Sequence, residues 1–213
     1  MEKDSLPHNI AIFPLSDAIF FPQTILPLNI FEDRYIQLVN DCMQQRRMFG
    51  MVQPKNRSSK KPEIYQVGCL GKIISLNETN DKRFIISLSG IIRFKIKTEL
   101  GSEKLYRKFS VDYSDFIHDL DIKKKKEEKS LKKNNFLKKI KLFFEKIDYP
   151  VNLDKLEELN FEQLMNTICM ISPFSNVEKQ KLIEANQAED KFKILNEIIN
   201  FHLFDTQQNK TIQ

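Results

Sequence analysis

Cysteine and histidine are the residue types of this sequence with the widest chemical use, because they bind metal ions, act as nucleophiles and transfer protons. The chain contains three of each, and they are scattered along it: Cys42, Cys69, Cys169, His8, His118 and His202. Structural zinc sites use closely spaced Cys and His pairs, and no such pair occurs here. The odd number of widely separated cysteines also argues against a secreted disulfide framework. We therefore expect no metal site and no cofactor, and reduced thiols in a cytoplasmic protein.

Phosphate binding and nucleophilic catalysis each need a short glycine-containing pattern that this sequence lacks. A P-loop requires a glycine-rich turn followed by Lys and Ser or Thr, and none of the five glycines begins one. Gly71 precedes Lys72, but Ile73 follows in a strand-like run. No serine stands among glycines in a nucleophile elbow. The sequence thus predicts that the chain is not an enzyme, and an unrecognised hydrolase is the least favoured hypothesis.

The composition predicts a folded chain with a real core. Hydrophobic residues make up 41% of the 213 residues and charged residues 30%, with 17 Phe. The longest apolar stretches are broken well short of the roughly 20 residues that a membrane span needs, and Met1 to Pro7 is too polar to begin a signal peptide. The net charge of +5 is a small excess of 34 basic over 29 acidic residues. Nucleic-acid binding by Lys123–Lys126 stays open as a less favoured alternative, because Glu127 and Glu128 follow and no aromatic residues interleave for base stacking.

The first half has the pattern of short strands around one helix. Apolar residues at helical spacing predict the helix from Asp33, with Arg46 and Arg47 at its end to suit the helix dipole. Pro27 inside a strand-like run suggests an edge or a bulge, and Gly90 permits a bulge in a later run. Pro54–Pro62 has the composition of an exposed loop. Apolar runs predict the strands Ile10–Leu15, Ala18–Phe21, Ile25–Ile30, Met48–Val52, Val67–Leu76, Arg83–Ser89 and Ile91–Ile96, with one or two more in Tyr106–Phe116. Such spacing is typical of a small antiparallel barrel.

The second half has helical periodicity. Lys123–Lys133 is predicted to be a solvated helix start or a linker. Ser175 and Glu178 form a capping-box pattern that opens a helix. Apolar positions at helical spacing predict four helices, around Phe136–Ile147, Phe161–Cys169, Leu182–Ile183 and Phe192–Leu203. The predicted fold class is therefore α+β, with a β-rich part at 1–118 and a helical bundle at 119–213.

Several motifs, taken in order, resemble the N-terminal, substrate-binding domain of Lon proteases. Ile12–Leu15, Phe21-Pro22 and Leu26–Tyr35 resemble the opening of that domain, and Gly90–Ile96 resembles its Gly-x-x-Arg-Phe element. A helical pattern near its end matches Pro173-Phe174-Ser175 with Glu178-Lys179-Gln180. Gln23 and Asp33 depart from the family pattern, in which Gly and Pro are common at these positions. The family residues assigned a structural role are Pro14, Pro27, Phe31, Glu32, Arg34, Tyr35, Gly90, Arg93, Phe94, Pro173, Phe174, Ser175, Glu178, Lys179 and Gln180.

The resemblance implies a PUA-like β pseudo-barrel followed by a helical bundle. It also implies a stand-alone, non-catalytic module without the ATPase and protease domains, which binds unfolded or target polypeptides or a protease or chaperone partner. Phe20, Phe21 and Pro22 are the candidate polypeptide-binding residues, because adjacent aromatic residues in a strand point to opposite faces and one would be exposed. Packing of both rings in the core is the favoured alternative. The partner, the binding face and the oligomeric state stay open.

Overall fold

The computed structural model describes residues 5–16, 18–56, 61–121 and 130–208. Most of the predicted lysine-rich segment, Lys123–Lys129, and part of the predicted loop, 57–60, lie outside these residues. The strands are β1 (Asn9–Pro14), β2 (Ile25–Ile30), β3 (Met48–Val52), β4 (Val67–Glu78), β5 (Phe84–Leu100) and β6 (Arg107–Asp112). The helices are α1 (Asp33–Met43), a 3-10 helix (Ser114–Leu120), α2 (Ser130–Lys146), α3 (Leu153–Glu157), α4 (Phe161–Ile171), α5 (Asn176–Glu184) and α6 (Ala188–Gln208).

The strands form one six-stranded sheet that closes on itself. Its order is β2-β5-β4-β3-β1-β6, and β5 also pairs with β6. Strand β5 is long enough to do this, because Phe84–Ser89 pair with β2 and Lys95–Leu100 pair with β6. Only β1 and β3 run parallel, among the pairs that the structure describes. The predicted α+β fold, with a β pseudo-barrel before the helices, is confirmed.

Gly90 lies at a bulge inside β5, as the sequence predicts. The register with β4 shifts there, because Leu70 faces Ile92 whereas Gly71 faces Gly90. The segment before β2 crosses β5 at this point, so that the backbone N–H of Gln23 donates to the carbonyl of Gly90. A Cβ atom on Gly90 would lie 2.0 Å from the carbonyl oxygen of Phe21. The glycine is therefore required by this close approach of two backbones.

The prediction that Ala18–Phe21 is a strand is wrong. These residues have no regular secondary structure. The segment packs into the core instead of joining the sheet, and Phe20 and Phe21 are 2% and 0% exposed. Packing of both rings in the core, the favoured interpretation, is therefore what the structure shows, and neither ring is exposed.

Helix α1 buries one face against the barrel, through Tyr35, Leu38, Val39 and Cys42. The helix ends at Met43, so Arg46 and Arg47 lie beyond its last turn rather than within it. Arg46 instead donates a hydrogen bond to the carbonyl of Ser5. The predicted interaction of these two arginines with the helix dipole is therefore wrong.

The helical part has a core rich in aromatic residues. Phe136, Phe161 and Phe192 pack together, with ring centroids 5.3 to 6.0 Å apart. The four predicted helices correspond to α2, α4, α5 and α6, whereas the short helix α3 was not predicted. Helix α3 has only five residues and buries only Leu156, which leaves almost no periodic signal in the sequence. The predicted boundary at 118 falls within the 3-10 helix and stays a prediction.

None of the helices in the described ranges is both long enough and apolar enough to cross a membrane.

Candidate functional site

Two adjoining clefts lie between the end of β2, the start of α1 and the β5–β6 turn. Their volumes are about 600 and 290 Å³, and Pro14, Arg34, Tyr35 and Pro62 line both of them. The larger cleft extends along the β5–β6 turn, and the smaller one extends to the end of β2. Because the two clefts share these four residues, we treat them together and call them the Arg34 groove.

Arg34 stands where the two clefts meet. Its Nη2 atom lies 2.7 Å from Oε2 of Glu32, and its side chain is 36% exposed. The guanidinium carbon lies 4.5 Å from the centroid of the Tyr35 ring, and this ring stacks on Phe13 at 4.0 Å. Burial raises the pKa of the Tyr35 hydroxyl. The Arg34 guanidinium therefore lies over an anchored aromatic residue, and its side chain lines the groove.

The far wall of the larger cleft is a charge network centred on Glu99. Arg107 makes a two-point contact with this carboxylate, with Nε–Oε1 and Nη2–Oε2 distances of 3.0 and 2.9 Å. The Nζ atom of Lys61 lies 2.9 Å from the same carboxylate. The Arg107 hydrogen bonds, with a contribution from Lys61, lower the pKa of Glu99 to about 2. This wall therefore presents paired charges of both signs at neutral pH.

Two exposed apolar side chains flank the groove, one for each cleft. Phe31 is 61% exposed beside the smaller cleft, and Leu105 is 63% exposed beside the larger one. Leu105 is fixed by its backbone N–H, which donates to Oε1 of Gln37 on α1 at 2.8 Å. Next to it, the hydroxyl of Tyr106 donates to Asp41 of α1 at 2.7 Å. Helix α1 therefore sets the position of the β5–β6 turn and the width of the groove.

Charged, aromatic, apolar and small polar residues form the walls of the groove. Neither cysteine nor histidine lines it. The thiols of Cys42 and Cys169 lie elsewhere in the core, and burial raises the pKa of each to about 12, so neither is poised as a nucleophile. No group of three or more His, Cys, Asp or Glu in the described ranges could hold a metal ion.

The sequence matches one protein-family model along most of its length. The model of the ATP-dependent protease La (LON) substrate-binding domain matches residues 9–200. The chain belongs to the LON substrate-binding domain family. This confirms the resemblance to the N-terminal domain of Lon proteases, and the family gives no support to the nucleic-acid alternative.

Curated relatives and solved structures agree with this assignment. A Lon protease of Cytophaga hutchinsonii is 26% identical over 195 residues, which is 90% of this chain and 24% of that protein. Lon protease 2 of Myxococcus xanthus is 27% identical over 115 residues, which is 53% of this chain and 14% of that protein. The chain thus spans a quarter or less of the length of these two relatives.

Two solved structures of Lon N-terminal domains match this chain. The N-terminal domain of a Mycobacterium avium complex Lon protease superimposes with a TM-score of 0.64 at 12% identity, covering 90% of this chain and 98% of that one. A Lon N-terminal domain protein from Xanthomonas campestris gives 0.59 at 19% identity, covering 90% and 97%. At these identities the matches show that the fold is shared.

The first LON motif, by which we mean the opening segments Ile12–Leu15 and Leu26–Tyr35, contributes residues to the groove. Pro14, Phe31, Glu32, Arg34 and Tyr35 all contribute to its walls. Because the motif covers the end of β1, the end of β2 and the start of α1, the fold brings these residues to one place. The sequence analysis assigned these residues a structural role. Because they meet at the groove, a binding role is also worth testing.

The candidate binding residues Phe20, Phe21 and Pro22 do not line the groove. All three are buried, and Nδ2 of Asn166 on α4 donates to the carbonyl of Pro22 at 2.9 Å. These residues join the barrel to the helical part. A polypeptide-binding role for these three residues stays a prediction, and none of them is exposed in the structure.

The second LON motif, Gly90–Ile96, contains Arg93, which also lies between the barrel and the helices. Arg93 is 1% exposed and donates to the carbonyls of Ile183, Ala185 and Asn186 at the end of α5. Gly90 and Phe94 are buried beside it on β5. This placement matches the preference of helix C-termini for cationic donors.

The remaining motif residues build α5. Ser175 and Glu178 form the predicted capping box at its start, with Pro173 exposed before it. Phe174 and Lys179 are buried. Gln180 accepts a hydrogen bond from Gln53 at 3.0 Å, which ties α5 to the barrel.

Sequence reasoning missed the wall formed by β5 and β6. Glu99, Leu105 and Arg107 belong to no motif that we recognised. The signal available was Gly101-Ser102 between two strand-like runs, which marks a turn that would present its neighbours at the surface.

Proposed function

We propose that the Arg34 groove binds an extended segment of an unfolded or target polypeptide. The observation that supports this most directly is the placement of the first LON motif: Arg34 and Tyr35 line both clefts, and Phe31 and Glu32 line the smaller one. The family assignment makes the chain a substrate-binding module. A motif that lines a groove in such a module is a natural contact surface for the substrate.

The chemistry of the groove suits an unfolded chain. Unfolded polypeptides expose apolar side chains next to polar backbone groups, and an exposed apolar patch on a folded domain often marks a partner site. Phe31 and Leu105 offer apolar anchors that are 61% and 63% exposed. Between them, Arg34 and the Glu99 network offer polar contacts of both signs.

We further propose that binding of the segment precedes its degradation by a Lon-type protease. We also propose that the chain itself has a non-catalytic role, in the cytoplasm. Lon proteases among the relatives support the link to proteolysis.

A titration with a permanently unfolded polypeptide tests the proposal. The probe is fluorescently labelled, reduced and carboxymethylated lactalbumin, followed by anisotropy at low and high salt. We expect saturable binding that survives high salt, because apolar contacts are not screened. Phe31→Ala removes an exposed aromatic anchor that the bound chain would cover, so it should weaken binding by roughly tenfold or more, and Leu105→Ala should act in the same direction.

Phe201→Ala is the matched control. Phe201 lies on α6 and is 62% exposed, almost the same as Phe31, but it does not line the groove. Binding by this variant should equal that of the unaltered protein. Equal losses in all three variants, or no binding by the unaltered protein, would contradict the proposal.

A further inference from the structure

Strand β2 forms an open edge of the barrel. It pairs with β5 on one side, and no other strand of the described ranges pairs with its far side. The smaller cleft of the Arg34 groove reaches this strand, since Leu28, Asn29, Ile30 and Phe31 line it. The groove and the open edge are therefore continuous.

The direction of the backbone groups of β2 follows from two observations. The carbonyl of Thr24, just before the strand, accepts a hydrogen bond from the N–H of Gly90 on β5. Because backbone groups alternate in direction along a strand, those of Leu26, Leu28 and Ile30 also face β5. Pro27 has no N–H, so it fits the opposite set, which points away from β5.

The outward set therefore consists of Ile25, Pro27 and Asn29. Their side chains are exposed, in contrast to buried Leu28 and Ile30. The free edge thus offers two N–H donors, at Ile25 and Asn29, and three carbonyl acceptors. A row of this kind is a template on which an extended chain can form a β-ladder.

The edge is only partly protected against such pairing. Natural edge strands are usually blocked by charged residues, prolines, bulges or a covering segment. The sequence of β2 is Ile-Leu-Pro-Leu-Asn-Ile, which contains no charged residue. Pro27 is the exception, because it removes the middle donor of the outward set and places its ring at the edge; the hydrogen bonds of a ladder would therefore form at Ile25 and Asn29, on either side of it.

We propose that the bound polypeptide adds to the free edge of β2 as a further strand, with Phe31 and Ile25 contacting its side chains. This inference rests on the proposed function and names its mode of recognition. A ladder reads backbone groups, which every polypeptide has, so a single site can hold segments of many sequences. It selects for an extended and unpaired chain, which a folded protein does not offer.

A pair of substitutions at one position tests the ladder. Asn29→Pro removes the outward N–H and places a ring against the approaching chain, whereas Asn29→Ala changes the side chain and keeps the N–H. Losing one hydrogen bond together with the steric block should weaken binding of the carboxymethylated lactalbumin by about tenfold. The Asn29→Ala variant should bind as the unaltered protein does. Thermal unfolding checks that both variants are folded.

A second test alters the peptide ligand instead of the protein, so its result does not depend on whether the Asn29→Pro variant folds. Short peptides from the probe that bind the unaltered protein are remade with backbone N-methyl groups, one position at a time. The ladder predicts that binding is lost at alternate positions, because only every second residue faces β2. Uniform tolerance of N-methylation, or equal binding by folded Asn29→Pro and Asn29→Ala, would overturn the ladder.

The two proposals can fail separately. If Phe31→Ala weakens binding while the Asn29 pair and the N-methylated peptides show no effect, the groove binds polypeptide but not as an added strand. If the unaltered protein does not bind the probe, both proposals are overturned.

Discussion

Arg93 and Asp119 form a two-point ion pair inside the protein. The Nε–Oδ2 distance is 2.9 Å and the Nη2–Oδ1 distance is 2.8 Å, and the two side chains are 1% and 3% exposed. Burial by itself raises the pKa of Asp119, but the hydrogen bonds and charge of Arg93 outweigh it, so the pKa lies below its usual value. Since Arg93 also donates to the end of α5, the pair joins the barrel, the 3-10 helix and the helical part.

Asp119→Ala should strongly destabilise the protein. The variant leaves the Arg93 charge buried without its carboxylate, and breaking a buried pair in this way costs about 3–5 kcal/mol. Urea unfolding of the unaltered protein and of each variant measures the free energy of unfolding. The control is Lys97→Ala, which breaks an ion pair with Asp112 in which the side chains are 57% and 34% exposed, so it should cost under about 1 kcal/mol. Similar losses in the two variants would show that the buried pair has no special role.

Gly90→Ala should disrupt the contact between β5 and the segment before β2. The added Cβ would lie 2.0 Å from the carbonyl oxygen of Phe21, a backbone atom that cannot turn away. We expect the free energy of unfolding to fall by about 3 kcal/mol or more, which is the upper range for overpacking. Gly101→Ala is the control, since nothing lies within 4 Å of its Cβ position. Thermal unfolding of both variants measures the difference, and a Gly90→Ala protein as stable as Gly101→Ala would contradict it.

Gln23→Gly should stabilise the protein slightly. Gln23 has φ 60, in the left-handed region that side chains other than those of Gly and Asn rarely adopt. Relief of this strain stabilises the folded protein, whereas the extra flexibility of glycine stabilises the unfolded chain. The net increase in the free energy of unfolding should be up to about 1 kcal/mol. Gln23→Ala keeps a Cβ atom and should give no gain. A loss of stability in the glycine variant would show that the Gln23 side chain contributes more than the strain costs.

Local patterns predicted most of the secondary structure. The apolar runs in β4 and β5, the helical spacing in α1 and α4 and the capping box at Ser175 each depend on residues a few positions apart. The bulge at Gly90 was also visible as a glycine in a strand pattern. The departure at Gln23 has a local explanation too, because glycine is favoured where φ is positive.

Contacts between distant segments could not be predicted. Nothing near Arg93 in the sequence identifies Asp119 as its partner. The segment of Phe21 and Pro22 contacts Lys191 and Asn166, which lie on helices far along the chain. The groove has the same origin, since Arg34 and Leu105 belong to segments that only the folded chain brings together.

Lys191 should give the protein a specific stability change at alkaline pH. The side chain is 2% exposed, and its Nζ atom lies 2.9 Å from Oδ1 of Asn166 and 5.4 Å from the centroid of the Phe21 ring. Burial, with a smaller contribution from the charge of Arg93, lowers its pKa to about 8. Between this value and the ordinary lysine pKa of about 10.4, the unfolded chain binds the proton more tightly than the folded one. The free energy of unfolding contributed by this group therefore rises with pH across that window, by about 3 kcal/mol in total.

The comparison with Lys191→Met isolates this effect, because other titrating groups act equally in both proteins. The stability of the unaltered protein relative to the variant should increase from pH 8 to pH 10.5 and stay constant below pH 7, where Lys191 is protonated in both states. Lys193→Met, which changes an exposed lysine of the same helix, should follow the unaltered protein throughout. Parallel curves for the unaltered protein and Lys191→Met would mean that the buried amine keeps its ordinary pKa, and that solvent or a counter-charge reaches it between the barrel and the helices.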